Sequence, residues 1–486
     1  MKGDLIQTEL FSIILFRKRC FQFLIFPVVR FFSIALFSFF YFLRSFFSIS
    51  IFTSLFSFLF FLFTFTVSAE ESNRVWIPGW QLTSEMNIAR AGAAVVSHNN
   101  RIYIIGGVDG VNFLSTVESA AISPDGSLSS WRTISKMPEA RGFMSATVFD
   151  GRIYVVGGGN GPYGKHLLNS VVSASILNNG EIGEWRTESE KMLMPRRCAK
   201  LIVKDDQLHV LGGFGGALLD SVESASFLKA GGLSSWKMQV NQMTMPRYVN
   251  EVKRIENYAV VIGGHHPTKG AGINAVEYAN LNEANLTWRS GPSMYTGRYA
   301  FASATHEKYL YAFGGISGTE YLNSTEKLFV NDEIESNKWS ISSKLPAFMA
   351  NFTTLVVGDH VYLVGGSTRH EYLPKVWVAT FNSSGDIGFY GTTHDLDVFK
   401  ASAPAVKEET LLPNSGIVLE SIATDGYTYI RVLSDAKEIW LASPEITVLP
   451  DSLIRFSEGV YMSNFRSKAL NRDFEAILFV GTVVLE

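Results

Sequence analysis

Six Gly-Gly pairs run down the middle of this chain at nearly constant spacing: Gly106-Gly107, Gly157-Gly158, Gly212-Gly213, Gly263-Gly264, Gly314-Gly315 and Gly365-Gly366. The steps between them are 51, 55, 51, 51 and 51 residues. A unit of that length cannot bury its own apolar face. A fixed period therefore specifies a fold made by stacking like units on one another.

The surroundings of each pair describe the unit. A short apolar or aromatic stretch precedes every pair (RIYIIGG, RIYVVGG, QLHVLGG, YAVVIGG, YLYAFGG, HVYLVGG) and reads as a buried strand ended by a turn. A further strand follows (TVESAAI, SVVSASI, SVESASF, AVEYANL), then a turn such as Asp125-Gly126 or Asn179-Gly180, dipeptides suited to tight hairpins. Trp131, Trp185, Trp236, Trp288 and Trp339 come next in phase, followed by Met-Pro or a similar pair, an Arg and an alternating strand such as GFMSATVF. Each unit thus holds four antiparallel strands, the blade of a β-propeller.

This pattern resembles the kelch repeat, whose blades carry a double glycine after the second strand and a Trp in the outer strand. The resemblance covers roughly residues 76 to 390 and implies a six-bladed kelch-type propeller. A β-sandwich, the other common home of Gly-rich strands, predicts no fixed period with a Trp in phase. Closure of the ring is overdetermined: Trp80, before the first pair, and Tyr390, after the last, both stand in register for the sixth outer strand. An open edge would leave backbone groups unpaired. The segment around Trp80 is expected to pair with the strand near Val376 to Phe381, leaving the Tyr390 strand as a connector.

Residues 1 to 69 are apolar and Phe-rich, with an uncharged run from Ser45 to Ala69 long enough to cross a bilayer as a helix. Arg17, Lys18, Arg19, Arg30 and Arg44 precede that run, and Val67-Ser68-Ala69 ends it before Glu70-Glu71. The small residues suit a signal peptidase, whereas the length suits an uncleaved anchor. Either way the basic flank places the propeller outside the cytoplasm. Cys198 is the one cysteine beyond the leader, so no internal disulfide is available there. The whole chain holds 42 Lys+Arg and 45 Asp+Glu; beyond the leader 36 remain against 43, an acidic balance that argues against a nucleic-acid partner.

Residues 391 to 414 lack a strong period and contain Pro404 and Pro413, as an interdomain linker does. Alternation resumes in GIVLESIA, YTYIRVL, EIWLAS, SLIRFSE and FEAILFVGTVV, five short strands that indicate a small barrel. The strings YTYIRV, IWLAS and MSNFRSKALNRDFEAILFVG resemble a small OB-like domain of bacterial exported proteins, some associated with cytochrome nitrite reductase systems. The resemblance implies a bacterial, exported origin. Tyr427, Tyr429, Trp440 and Phe465, with Arg431, Arg466, Lys468 and Arg472, are residue types that stack and hold single strands. They equally fill and rim a tiny core.

Arg90, Arg141, Arg196, Arg247 and Arg298 each lie 16 residues before the first glycine of their pair; Met349 takes that place in the sixth unit. Equal register in a rotational fold puts the five guanidinium groups at one radius and height. There they either hold a carboxylate, a sugar acid or an acidic peptide, or pair with repeated acids such as Glu118, Glu223, Glu277 and Glu326. His265, next to His266 after the fourth glycine pair, reaches the same face. Adjacent strand residues point to opposite sides, so this pair is a weak metal site. The kelch resemblance also brings in two enzymes. A copper-radical galactose oxidase needs a Tyr-Cys cross-link and two histidines that have no counterpart spacing here. An exported sialic acid mutarotase would draw on Arg298, Glu320, His265 and His306.

The chain therefore reads as all-β: a hydrophobic leader helix over 1–69, a six-bladed kelch-type β-propeller over 76–390, a linker over 391–414 and a small five-stranded OB-like β-barrel over 415–486. The expected function is a non-catalytic exported binding or scaffolding module that takes a protein or glycan on one loop face, with the leader in the membrane. Its candidate ligand-binding residues are Arg90, Arg141, Arg196, Arg247, Arg298 and His265, with no metal and no cofactor. The alternative is a periplasmic carbohydrate-active enzyme such as a sialic acid mutarotase acting in the central pocket.

Overall fold

A computed structural model describes residues 74–485, apart from 267–271, 332, 397–411, 425 and 435–436. The leader, and most of the expected linker, lie outside the described residues. The remainder is β-structure with almost no helix, arranged as six propeller blades followed by a separate strand set.

The first blade shows the plan. Its strands Ala94–His98, Arg101–Ile105, Thr116–Ala121 and Arg132–Lys136 pair antiparallel in sequence order. The second strand carries the apolar run before the glycines, and Ile102, Tyr103, Ile104 and Ile105 are all fully buried against the neighbouring blades. Both glycines of every pair have positive φ, 59° and 99° in the first pair and 63° and 93° in the last, which turns the chain sharply at the end of the strand. Space is as restrictive as conformation: a Cβ on Gly366 would lie 2.5 Å from Phe352 Cβ and 2.8 Å from the Ala350 carbonyl oxygen.

Neighbouring blades are fastened by repeated side chains. Tyr103, in the middle of the second strand, donates its hydroxyl to the Gly180 carbonyl in the hairpin turn of the next blade at 3.1 Å; Tyr311 does the same to Gly385 at 2.8 Å. Tyr362 of the sixth blade reaches Gly126 of the first at 2.8 Å, across the closure. His209 stands at this register in the third blade. It is buried, and neither ring nitrogen has a partner.

Closure uses both candidate strands. Gln81 and Leu82 pair with Val378 and Trp377, as Lys237 and Met238 pair with Ser224 and Glu223 in the third blade. Ile387–Gly391 also pairs with the far end of Val376–Phe381, through Thr380↔Gly388 and Phe381↔Ile387, and Val75–Pro78 adds outside it. The Tyr390 segment is therefore a strand of the sheet and not merely a connector. The two aromatic residues compete for one slot, and Trp80 fills it: Trp80 is buried in the blade core, whereas Tyr390 is 55% exposed and packs edge-on against Trp76 at 5.0 Å.

Beyond the propeller, Asn414–Ala423, Thr428–Ser434 and Lys437–Ser443 form an antiparallel meander. Leu453–Phe456 and Gly459–Ser467 make one bent strand, and Arg472–Val480 with Val483–Leu485 another, since their pairing keeps a single register from Ile454↔Leu485 to Ser467↔Arg472. Leu441↔Leu478 joins the third strand to the last in parallel, and Ile417↔Leu453 joins the first to the fourth, so the pairing runs round a closed circuit. Val418, Ile430, Leu441, Ile454 and Phe456 pack inside it. This strand set meets the fourth and fifth blades: Ile446 bridges Thr296, Thr447 N–H donates to the Tyr295 carbonyl at 3.1 Å, and Asn274 Nδ2 donates to Thr447 Oγ1 at 3.1 Å.

Candidate functional site: the axial mouth

The loop face is organised by the repeated arginines, and they do so from the inside. All five are fully buried. Arg247 Nη1 donates to the Gly263 carbonyl at 3.0 Å and the Ala275 carbonyl at 3.1 Å, while its Nη2 is paired with Glu277. Arg90 pairs with Glu118, Arg196 with Glu223 at 2.5 Å and Arg298 with Glu326 at 2.7 Å, each also holding the first glycine carbonyl of its pair. Arg141 has Val172 where the others have the acid; it uses Ser170 and Glu139 instead, at 3.1 and 3.3 Å. Burial lowers the pKa of Arg90, Arg141, Arg196 and Arg247 from the usual guanidinium value, opposed by the paired carboxylates.

Equal register thus brings the five arginines to equivalent places without turning them toward one another. Each guanidinium folds back into its own blade, and each arginine carbonyl accepts from the second glycine of the preceding blade, as in Gly107 N–H to Arg141 at 2.9 Å and Gly366 N–H to Arg90 at 2.8 Å. The arginine is therefore a clasp between blades. The sixth unit keeps only the backbone half, Gly315 N–H to Met349 at 2.9 Å. Its acid is replaced as well, because Trp377 occupies the register of Glu277.

The residue after each arginine bridges the residue after each glycine pair, and of these Arg197, Tyr248 and Tyr299 come part-way to the surface while Ala91, Gly142 and Ala350 are buried. The six bridges are Ala91↔Val108, Gly142↔Gly159, Arg197↔Phe214, Tyr248↔His265, Tyr299↔Ile316 and Ala350↔Ser367. The rim is lopsided. At these bridge positions blades three to five carry a half-buried aromatic and basic arc and the others carry small residues, although Phe113 and Tyr372 bridge Val108 and Ser367 in the first and sixth blades. Within the arc the Arg197 guanidinium lies 5.3 Å from the Phe214 ring centre, the His265 ring meets Tyr248 edge-on at 5.4 Å, and Tyr299 lies 5.9 Å from His265. Partial burial lowers the His265 pKa, so the imidazole is neutral at pH 7. The sequence signal for the arc is its register, one residue past each arginine, where no repeated residue type marks it.

One residue further on, Gly92, Phe143, Cys198, Val249, Ala300 and Asn351 all have φ between 47° and 60°. They link blade to blade round the axis: Gly92 N–H donates to Asn351, Phe143 to Gly92, Cys198 to Phe143, Ala300 to Val249 and Asn351 to Ala300, at 2.7 to 3.0 Å. This collar narrows the mouth. The cavity it lines measures about 60 Å³, far below the roughly 300–1,000 Å³ of ligand pockets. Burial pushes the Cys198 thiol up to about 11, with Arg197 and Lys200 opposing.

The residues named for sugar chemistry do not converge. Arg298 is buried with Glu326, and Glu320 pairs with exposed Arg369 at 2.8 Å. His306 lies at the far end of its strand, 3.0 Å from Asp359 and stacked on Phe381 at 4.4 Å. Only His265 belongs to the mouth.

Fold and repeat together define a six-bladed β-propeller with kelch motifs. Residues 89–119 and 140–173 match the Kelch motif, spans that include the arginine clasps of the first two blades. The Kelch repeat and BTB domain-containing protein 1 of horsepox virus is 31% identical over 137 residues, 28% of this chain and 22% of that protein. Beta-scruin of Limulus polyphemus is 25% identical over 228 residues, 46% of this chain and 24% of that one. The matched region spans about a quarter of the length of these curated relatives. A solved structure, that of YjhT, superposes with a TM-score of 0.53 over 63% of this chain and 99% of its own, at 15% identity, a likeness of fold.

Proposed function

We propose that the chain is a non-catalytic binding module that holds a protein or glycan on the aromatic arc of its loop face. The observation that carries this is the lopsided rim: six equivalent positions, of which three adjacent blades bear Arg197, Phe214, Tyr248, His265 and Tyr299 and the rest bear small residues. Half-buried rings offer rigid apolar faces with polar edges at little entropic cost, a common basis of recognition. The second strand set stands beside the arc, on blades four and five. Its closed circuit with one parallel pair supports reading it as an OB-like barrel that walls the binding face. The leader supports export, with the propeller outside the cytoplasm and residues 45–69 in the membrane.

The test is to screen the full chain against a glycan array and against proteins of its own cell surface, then repeat with Tyr248→Ala/Tyr299→Ala. The double variant should lose its partner with an unchanged melting temperature; full retention refutes the arc. The sialic acid mutarotase reading has its own test. The full chain is incubated with α-sialic acid and anomer ratios are followed by NMR, and no acceleration over buffer removes it.

A further inference from the structure

We propose that the cavity inside the collar is a binding site for a small carboxylate anion such as acetate, held by Lys200 and Asn250, with Lys253 adding positive charge from beside Glu251. This site goes beyond the rim reading and does not depend on it. Lys200, Asn250, Glu251 and Thr353 bring polar groups to a wall otherwise made largely of apolar residues such as Phe143, Val249 and Phe301. One water needs roughly 10–15 Å³ of such space. The cavity's 60 Å³ therefore takes a group of about four non-hydrogen atoms and excludes a sugar ring.

Two independent observations point to an anion. Asn250 is fully buried, and neither its amide nitrogen nor its amide oxygen has a partner. The same register holds Ala93, Met144, Ala199, Phe301 and Phe352 in the other blades, none of them polar. A buried amide left unsatisfied costs free energy that a bound hydrogen-bonding group removes.

The second observation is charge. Both oxygens of Glu251 are occupied, by Lys200 Nζ at 2.6 Å and by Ser303 Oγ at 2.9 Å. Lys253, two residues along the same strand and on the same side, stands 4.0 Å from that carboxylate, outside hydrogen-bond reach. Two ammonium groups face one carboxylate, an excess of one positive charge beside the cavity. Burial lowers the pKa of Lys253, opposed by Glu251 and reinforced by Lys200. A carboxylate in the cavity accepts from a remaining N–H of Lys200 and from Asn250 Nδ2, with the Lys253 charge on the other side of Glu251. At the registers of Glu251 and Lys253 the first blade has Ala94 and Val96, and the fifth has Ala302 and Ala304. The charge is thus a departure from the repeat, as a ligand site is and a framework contact is not.

Acetate is titrated into the full chain at an ionic strength held constant with sodium sulfate, while thermal unfolding and binding heat are followed. A saturable rise of a few degrees in Tm is expected, as for any ligand that binds only the folded state. Lys253→Met should weaken the rise and Asn250→Leu should abolish it, and the second, which fills the amide's place with an apolar group, decides the matter if the first does not fold. No response of the native chain to acetate, as when the cavity holds water only, overturns the proposal. So does a response that survives in Asn250→Leu.

Discussion

Removing the Arg247 guanidinium while leaving its acid in place is expected to be among the most damaging single changes to this fold. In Arg247→Met, Glu277 keeps the Thr244 N–H at 2.6 Å but loses its counter-charge at full burial, and the Gly263 and Ala275 carbonyls lose their donor. Breaking one side of such a pair costs about 3–5 kcal/mol. The protein itself shows the remedy, since the sixth blade replaces both members with Met349 and Trp377, which are 0% and 7% exposed. Arg247→Met/Glu277→Leu removes the stranded charge and leaves only neutral backbone groups unpaired, for a loss of about 1–3 kcal/mol. The double variant is then about 2 kcal/mol more stable than Arg247→Met alone. Urea unfolding followed by Trp fluorescence measures the difference, provided that m is unchanged between variants. A double variant as unstable as Arg247→Met alone would refute the reasoning. The arginine would then act through packing and its bonds to carbonyls, not as the partner of a buried acid.

Three further outcomes can be checked on the same protein. His209 is buried without partners, and its pKa falls to about 4, chiefly through desolvation; the unfolded chain therefore binds the extra proton between pH 4 and 6.5, so stability is full above 6.5 and is lost on acidification by up to about 3 kcal/mol. His209→Tyr, the residue of four other blades, should flatten that pH dependence, and an unchanged slope counts against the assignment. Cys198, with its thiol raised to about 11 and buried in the collar, should resist iodoacetamide at pH 8 in the native chain and react once urea unfolds it; rapid native labelling would contradict this. Gly366→Ala places a Cβ 2.5 Å from Phe352 at a φ of 93° and should cost more than about 2 kcal/mol in denaturant melts, with a neutral result showing that the turn can relax.

Much of the fold was legible because its determinants are local and repeated. Glycine pairs that need positive φ, apolar second strands and tight hairpins are chain properties, so six copies in phase report six blades. Ring closure was half legible, because Trp80 and Tyr390 carry the same signal. Only packing decides that Trp80 enters the core while the Tyr390 strand still pairs beside it. The arginines show the same division: register placed them at equivalent points, but their direction was not in the spacing.

By itself, then, the sequence determined the period, the number of blades, the clasp positions and the departures at Met349, His209 and Glu251. Tertiary structure decided that the guanidinium groups turn inward to glycine carbonyls and acids, that the residues beside them form a lopsided aromatic rim, and that Lys200 and Asn250 come to a small cavity on the axis. The reason is physical. Strand and turn propensities act over a few residues, whereas whether a charge faces solvent, a partner or a cavity depends on desolvation by blades far apart in the chain.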